Sequence, residues 1–378
     1  MSEPPVVRRL QANGELTVAA LERVIAGRPI PLVEPGACTF VYRGAAQAVH
    51  LRHWGVGLPP DLGFQRVNGS DVWVLVLDLP PSSRVEYKLE VVEHGGTRLL
   101  EDPLNPVRAS NPFGANSVCQ AAGYVVPDWA RHHPGVPLGS VAPTHLDSAA
   151  MGHGVELDLY LPARFTSSPA RPYPLLIVHD GRDYLHYASL KTVLDNLIAR
   201  REVPELLAVC LHPGERLVEY ADDPRHARFL RDELLPFVES RLPVAIEPAG
   251  RCLMGASFGA VASLAAARRD PGRYGRLLLQ SGSFAWSSNG CSARRGAIWE
   301  PIKSFVDGYA ADPSWVSERV FVSCGVYESL ICENRALLPA LQGTGMDVRF
   351  VEALDGHNWE SWRDCMGAGI TWLFEGAR

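Results

Sequence analysis

Two different spacings of apolar residues divide the chain. Up to about position 120, short runs of β-branched and aromatic residues recur at 38–42, 48–51, 72–77 and 85–91, with turn signals such as Asn68-Gly69 and Gly95-Gly96 between them. Several short runs at this spacing predict a β-sandwich. Residues 3–28 ahead of them read as helical. Beyond position 150, strand-like runs at 175–178, 206–211, 251–254, 276–280, 320–324 and 347–354 alternate with helical patterns near 190–200, 227–240, 260–269 and 334–342. Alternation of this kind predicts a mainly parallel sheet covered by helices on both faces. Proline, glycine and histidine crowd 121–150, which reads as an extended connection. The expected organisation is a β-sandwich domain over 1–120, a linker over 121–150 and an α/β domain over 151–378, without internal repeats.

One stretch of the α/β half carries chemistry. Gly255-Ala256-Ser257-Phe258-Gly259 follows an apolar strand-like run and precedes an alanine-rich helical one that closes on Arg268-Arg269. Strand, tight glycine turn and helix are the setting of a nucleophile elbow, in which a strained serine is pushed clear of the sheet while the flanking glycines let strand and helix pack closely. A serine hydroxyl at neutral pH needs a base in hydrogen-bond reach and a carboxylate to orient that base. In α/β-hydrolases the order along the chain is serine, acid, histidine. Of the twelve histidines only His357 follows Ser257, in the loop after the last strand-like run. For the acid, Glu328 lies four residues past the end of the preceding run and is preferred. Glu333, one helical turn on, is expected to be solvated, and Asp355 to shape the turn before His357. The amide of Phe258 is one expected oxyanion donor. Arg182, in the His179-Asp180-Gly181-Arg182 turn after the 175–178 run, is the expected second.

Composition narrows the class. The 378 residues are enough for two domains, and 47% hydrophobic with 21% charged residues is ordinary globular composition. A net charge of −6 offers no global basic field for nucleic acid. The chain has no apolar run of about 18 residues to span a membrane, and Met1-Ser2-Glu3-Pro4-Pro5 lacks the features of a secretory signal, so a cytoplasmic protein is expected. The eight cysteines are scattered without a Cys-x-x-Cys pair and read as buried free thiols, not a disulfide frame or zinc site. The expected chemistry calls for no cofactor and no metal.

With these pieces in place the chain resembles the esterase D-like α/β-hydrolases, and among them the enterochelin (ferric enterobactin) esterases. In the catalytic half the resemblance rests on His179-Asp180-Gly181, Arg216-Leu217-Val218-Glu219-Tyr220, Glu233-Leu234-Leu235-Pro236, the elbow, Gln280-Ser281-Gly282-Ser283-Phe284-Ala285-Trp286 and Gly356-His357-Asn358-Trp359-Glu360-Ser361-Trp362. In the first half, Thr39-Phe40-Val41-Tyr42-Arg43-Gly44, Asp71-Val72-Trp73, Tyr87-Lys88-Leu89 and Asp102-Pro103-Leu104-Asn105-Pro106 are similar to that family's immunoglobulin-like leading domain. Phe258, Ala260 and Ala285 depart from the family pattern. The resemblance implies an α/β-hydrolase domain behind an immunoglobulin-like β-sandwich. It also implies cytoplasmic hydrolysis of the triserine lactone of a catecholate siderophore to release iron.

An anionic tris-catecholate complex calls for local cations in an acidic protein. Arg216, Arg294 and Arg295 are the expected substrate contacts, along with Arg182, while Trp286 and Trp299 could stack on a ring. Two other readings stay open: a general carboxylesterase of acylated sugars or small aryl esters, and a non-catalytic binding protein on a hydrolase scaffold.

Overall fold

The computed structural model describes residues 3–59, 62–287, 291 and 294–376. They fall into two compact units, one of residues 1–125 with 326–328 and 354–357, the other of 126–325, 329–353 and 358–378.

In the first unit the short apolar runs form two antiparallel sheets. One orders the strands Leu32–Glu34, Ala37–Arg43, Val72–Asp78 and Gln65–Arg66; the other orders Ala48–Arg52, Arg84–Glu93, Gly114–Gln120 and Arg108–Asn111, with Gly96–Leu100 paired to Arg84–Glu93. Side chains alternate across a strand, so Val85, Tyr87, Leu89 and Val91 point to one face, where they share an apolar cluster with Phe40, Tyr42 and Trp73 of the other sheet. Strand Ala37–Arg43 is buried on both faces except at its last residue. That second burial explains residues 3–28. Helices Val6–Ala12 and Val18–Ile25 lay Val7, Leu21 and Ile25 over Val41, Val72 and Val74. Each side chain so buried stabilises by roughly 1.5–3 kcal/mol, and Thr17 caps the second helix by accepting from the Ala20 amide at 3.1 Å.

The second unit is built on an eight-stranded sheet ordered Ser140–Ser148, His153–Leu161, Leu207–His212, Leu175–Val178, Arg251–Ala256, Arg276–Gln280, Arg319–Gly325 and Asp347–Ala353. The first two pairings are antiparallel and the rest parallel. Strands Leu175–Val178, Arg251–Ala256 and Arg276–Gln280 are buried throughout, because helices cover both faces. Leu175, Ile177, Leu253 and Leu277 pack on one side with helix Phe258–Arg269. Leu176, Val178, Met254 and Leu278 pack on the other with Leu190–Ala199 and Trp359–Leu373.

Three expectations are corrected. Within the segment expected as an extended linker, Ser140–Ser148 is an edge strand paired with His153–Leu161 over nine residues. An edge strand leaves one side of its backbone unpaired, so it tolerates Pro143 and the polar residues that hid it. Helices Glu300–Ala311 and Trp359–Leu373 were not anticipated, and the helix expected over 227–240 starts at Pro224 and passes through a π turn at Leu230–Leu234. The cysteines are not all free. Cys291 and Cys332, 41 positions apart, form a disulfide, while Cys38, Cys119, Cys210, Cys252 and Cys324 are buried thiols outside that bridge. A bridge over that separation leaves no local spacing signal. No helix among the described residues is long and apolar enough to cross a membrane.

Candidate active site

The strand Arg251–Ala256 ends at Ser257, whose backbone sits at φ 57°, ψ −119°, and helix Phe258–Arg269 begins at the next residue. A non-glycine residue in such a conformation carries about 1–3 kcal/mol of strain. The glycines permit it: a Cβ on Gly255 would stand 2.4 Å from the backbone of Gly259, and one on Gly259 would meet His179 Cβ at 3.1 Å. Between Arg251 and Ala267 every residue is buried except Ser257. The turn is tied down on both sides, since the Ser257 amide donates to Gln280 O at 2.9 Å and Ser257 O accepts from the Ser283 amide at 3.1 Å. Ser283 Oγ also lies 3.0 Å from Ser257 Oγ. The Phe258 amide opens the helix without an acceptor from the described residues, as an oxyanion donor must.

Below the elbow two histidines form a proton-ordered pair. Met254 O accepts from His179 Nδ1 at 3.1 Å, and a carbonyl can only accept, so Nδ1 carries the proton. Neutral His179 therefore accepts at Nε2, where His226 Nε2–H donates at 2.9 Å. Burial lowers His179 to about 4, and burial together with His179 holds His226 well below the ordinary histidine value.

The second expected oxyanion donor is engaged elsewhere. Asp158 Oδ2 accepts from His212 Nε2 at 2.7 Å, which leaves His212 Nδ1 as the acceptor for the Arg182 amide at 3.2 Å. Burial keeps His212 below its ordinary value, consistent with a neutral ring, even though Asp158 opposes the shift. The Arg182 amide, expected as the second oxyanion donor, thus has an acceptor within the fold. Gly181 does have the close approach expected of it, with a Cβ there falling 2.2 Å from Cys210 Cβ.

The arginines expected to hold an anion are largely neutralised. Arg216 makes two 2.7 Å bonds to buried Asp180, and its guanidinium lies 5.8 Å from the Phe258 ring. Arg294 bonds Glu333 at 2.9 and 3.1 Å and Ser329 at 2.8 Å, and stands 5.4 Å over Trp299. Glu333, expected to be solvated, is 1% exposed because Arg294 covers it. Trp299 in turn packs on Phe258 at 5.3 Å, so Arg216, Phe258, Trp299 and Arg294 form a continuous cation–aromatic row beside the elbow. Trp286 is partly buried against the core and donates to Glu333 O at 3.4 Å, whereas Arg295 is exposed.

Glu328 and His357 belong to the other unit and meet there. His357 Nδ1 lies 2.5 Å from Glu328 Oε2, and Glu328 is 1% exposed. A carboxylate accepts, so Nδ1 carries the proton and Nε2 is the basic nitrogen. The other two carboxylates considered are taken: Glu333 by Arg294, and Asp355 by Arg84 at 3.1 Å. Asp355 also accepts from the Gly356 amide at 2.7 Å and so shapes the turn before His357. Sequence reasoning missed Ser283, the two buried histidines and Asp158. Ser283 and His179 had a local signal, because they stand in the Gln280–Trp286 and His179–Gly181 motifs, whereas His226 and Asp158 had none.

Comparison with known proteins adds a family. The family described as "Putative esterase" matches residues 148–372. The iron(III) enterobactin esterase of Escherichia coli K12 is 26% identical over 210 residues, which are 54% of this chain and 51%, about half, of that protein. The iron(III) enterobactin esterase of E. coli O6:H1 CFT073 is 24% identical over 340 residues, 82% of each chain. The enterobactin esterase of Shigella flexneri, solved in the presence of enterobactin, superposes with a TM-score of 0.71 at 21% identity, covering 90% of this chain and 94% of that one. This last likeness establishes the mixed α/β fold.

Proposed function

The chain belongs to the esterase family that matches residues 148–372, and from that premise we propose that it is a serine carboxylic-ester hydrolase working through an acyl-enzyme. Ser257 is the acyl acceptor, His357 its base and Glu328 the carboxylate that orients the base. His357 Nε2 takes the Ser257 hydroxyl proton as Oγ bonds to the ester carbonyl carbon, and returns it to the departing alkoxide. Phe258 N–H stabilises the charge on the former carbonyl oxygen. Water, activated by the same nitrogen, then releases the acid. The observation that carries this reading is the buried Glu328 carboxylate at 2.5 Å from His357 Nδ1, which leaves Nε2 as the proton acceptor.

For the substrate we propose the triserine lactone of a catecholate siderophore, opened in the cytoplasm to release iron. The names of the E. coli relatives support it. In this reading the second unit is an α/β-hydrolase domain and the sandwich an immunoglobulin-like leading domain. A second substrate class, small aryl or sugar esters, is favoured by one observation. Asp180 and Glu333 already balance Arg216 and Arg294, which leaves less positive charge for a ferric tris-catecholate.

The test is turnover of p-nitrophenyl butyrate and of ferric enterobactin by the wild type and by Ser257→Ala. Loss of about 10⁶-fold in kcat is expected for the variant, with enterobactin the better substrate. Hydrolysis that survives the substitution rejects the nucleophile, and a preference for aryl or sugar esters rejects the siderophore.

A further inference from the structure

We propose that Ser83 and Arg84, at the start of the sandwich strand Arg84–Glu93, are positioning residues for the base and its carboxylate. This rests on the reading of Glu328 and His357 given above.

Each of the two loops is held at the residue beside, or two before, the one that works. Tyr327 immediately precedes Glu328, and its hydroxyl meets Ser83 Oγ at 2.7 Å. Its carbonyl accepts from the Val56 amide at 2.9 Å, and a Cβ on Gly55 would fall 2.5 Å from that same oxygen, so the approach requires glycine. Asp355 stands two residues before His357, and Arg84 Nη1 donates to both its oxygens at 3.1 and 3.3 Å. The Arg84 amide donates to Leu354 O at 2.8 Å, so main chain and side chain grip one loop together. A final bond joins the two loops, from the Tyr327 amide to Asp355 O at 3.0 Å. Arg84 is 0%, Asp355 5% and Tyr327 7% exposed, so water does not loosen these contacts.

Arg84 has a second effect, on charge. Two carboxylates stand close to His357 in space or sequence, and the base can be oriented by only one. Arg84, itself balanced by Glu86 at 2.9 Å, engages Asp355 and leaves Glu328 as the partner of Nδ1. The pair is therefore set by residues 244 and 271 positions away from the loops they hold.

The experiment compares the full-length wild type with Tyr327→Phe, Ser83→Ala, Arg84→Met, Arg84→Lys and the double variant Arg84→Met/Asp355→Asn. Kinetics on p-nitrophenyl butyrate are combined with the low-field NMR signal of the His357 Nδ1 proton. A fall in kcat of about tenfold or more is expected, with KM within about twofold, partial rescue in Arg84→Lys, and a weakened or displaced Nδ1 proton signal. Loss of one partner of a buried ion pair is strongly destabilising, so if Arg84→Met does not fold, Tyr327→Phe and the double variant, which removes both members of the Arg84–Asp355 pair, decide. Folded variants with wild-type kcat and an unchanged proton signal overturn the proposal. Absence of Ser257-dependent hydrolysis in the wild type would instead reject the esterase reading, and the proton signal alone would then decide the roles of Ser83 and Arg84.

Discussion

Ser257 and the Glu328–His357 pair are built by opposite means. Most determinants of the elbow's shape lie within a few positions of the serine: a buried strand, two glycines of which the first could not carry a Cβ without striking the backbone of the second, and a helix beginning at the next residue. Glu328 and His357 are 29 positions apart, on loops whose anchors are Ser83, Arg84 and Val56, far away along the chain. A local motif can force a strained backbone because the strain and its relief are encoded together. A pair of loops has no such autonomy, so its geometry depends on whatever grips it.

The largest expected effect breaks the pair directly. Glu328→Gln should lower kcat by about 10⁴-fold, because the base then loses both orientation and charge compensation. Glu333→Gln should leave far more activity, since Glu333 serves Arg294; steady-state kinetics on both variants would reverse the assignment if Glu333→Gln were the more damaging. Next comes the local side of the comparison. Gly255→Ala places a methyl 2.4 Å from Gly259 backbone, where no flexible side chain can yield. It is expected to cost about 1–3 kcal/mol in a urea melt and to slow fluorophosphonate labelling of Ser257 sharply, whereas Ser83→Ala should leave the melt much closer to wild type.

The smallest effect sharpens the comparison by showing where the elbow is not local. His179 and His226 are buried neutral beneath it, with His179 lowered to about 4 from 6.5. In the unfolded chain these rings protonate near 6.5, so the unfolded state binds more protons between those values. The contribution of His179 is therefore complete above about pH 6.5 and is lost as pH falls towards about 4, and burial of neutral His226 acts in the same direction. Urea melts across that window should lose stability with acid in the wild type and less so in a variant with both histidines replaced by glutamine. A flat profile in the wild type would show that the pair does not govern acid stability.

Much of this was legible along the chain. The β-branched and aromatic runs of the first part and the apolar runs of the parallel sheet located most strands, because burial leaves a direct mark on sequence. Ser257 was legible for the same reason as its glycines. For Arg182, a turn after a buried strand says where an amide lies but not that His212 accepts from it, and His212 can do so only because Asp158 holds its other nitrogen. The edge strand Ser140–Ser148 carried no signal, since its residues are mostly exposed.

What the sequence determined by itself is the set of short-range objects: the elbow, most buried strands, the order of serine, carboxylate and histidine, and the likeness to a family. Tertiary structure alone decided which partner each charged or polar group takes. Arg216 and Arg294 read as cations awaiting a ligand until Asp180 and Glu333 were found against them, and the preference for Glu328 over Asp355 gained its physical reason only in the pairing of Asp355 with Arg84. The reason is physical. Backbone strain and apolar periodicity act between near neighbours and leave their pattern in order, whereas a buried charge is satisfied by whichever group the fold brings within about 3 Å, at any separation along the chain.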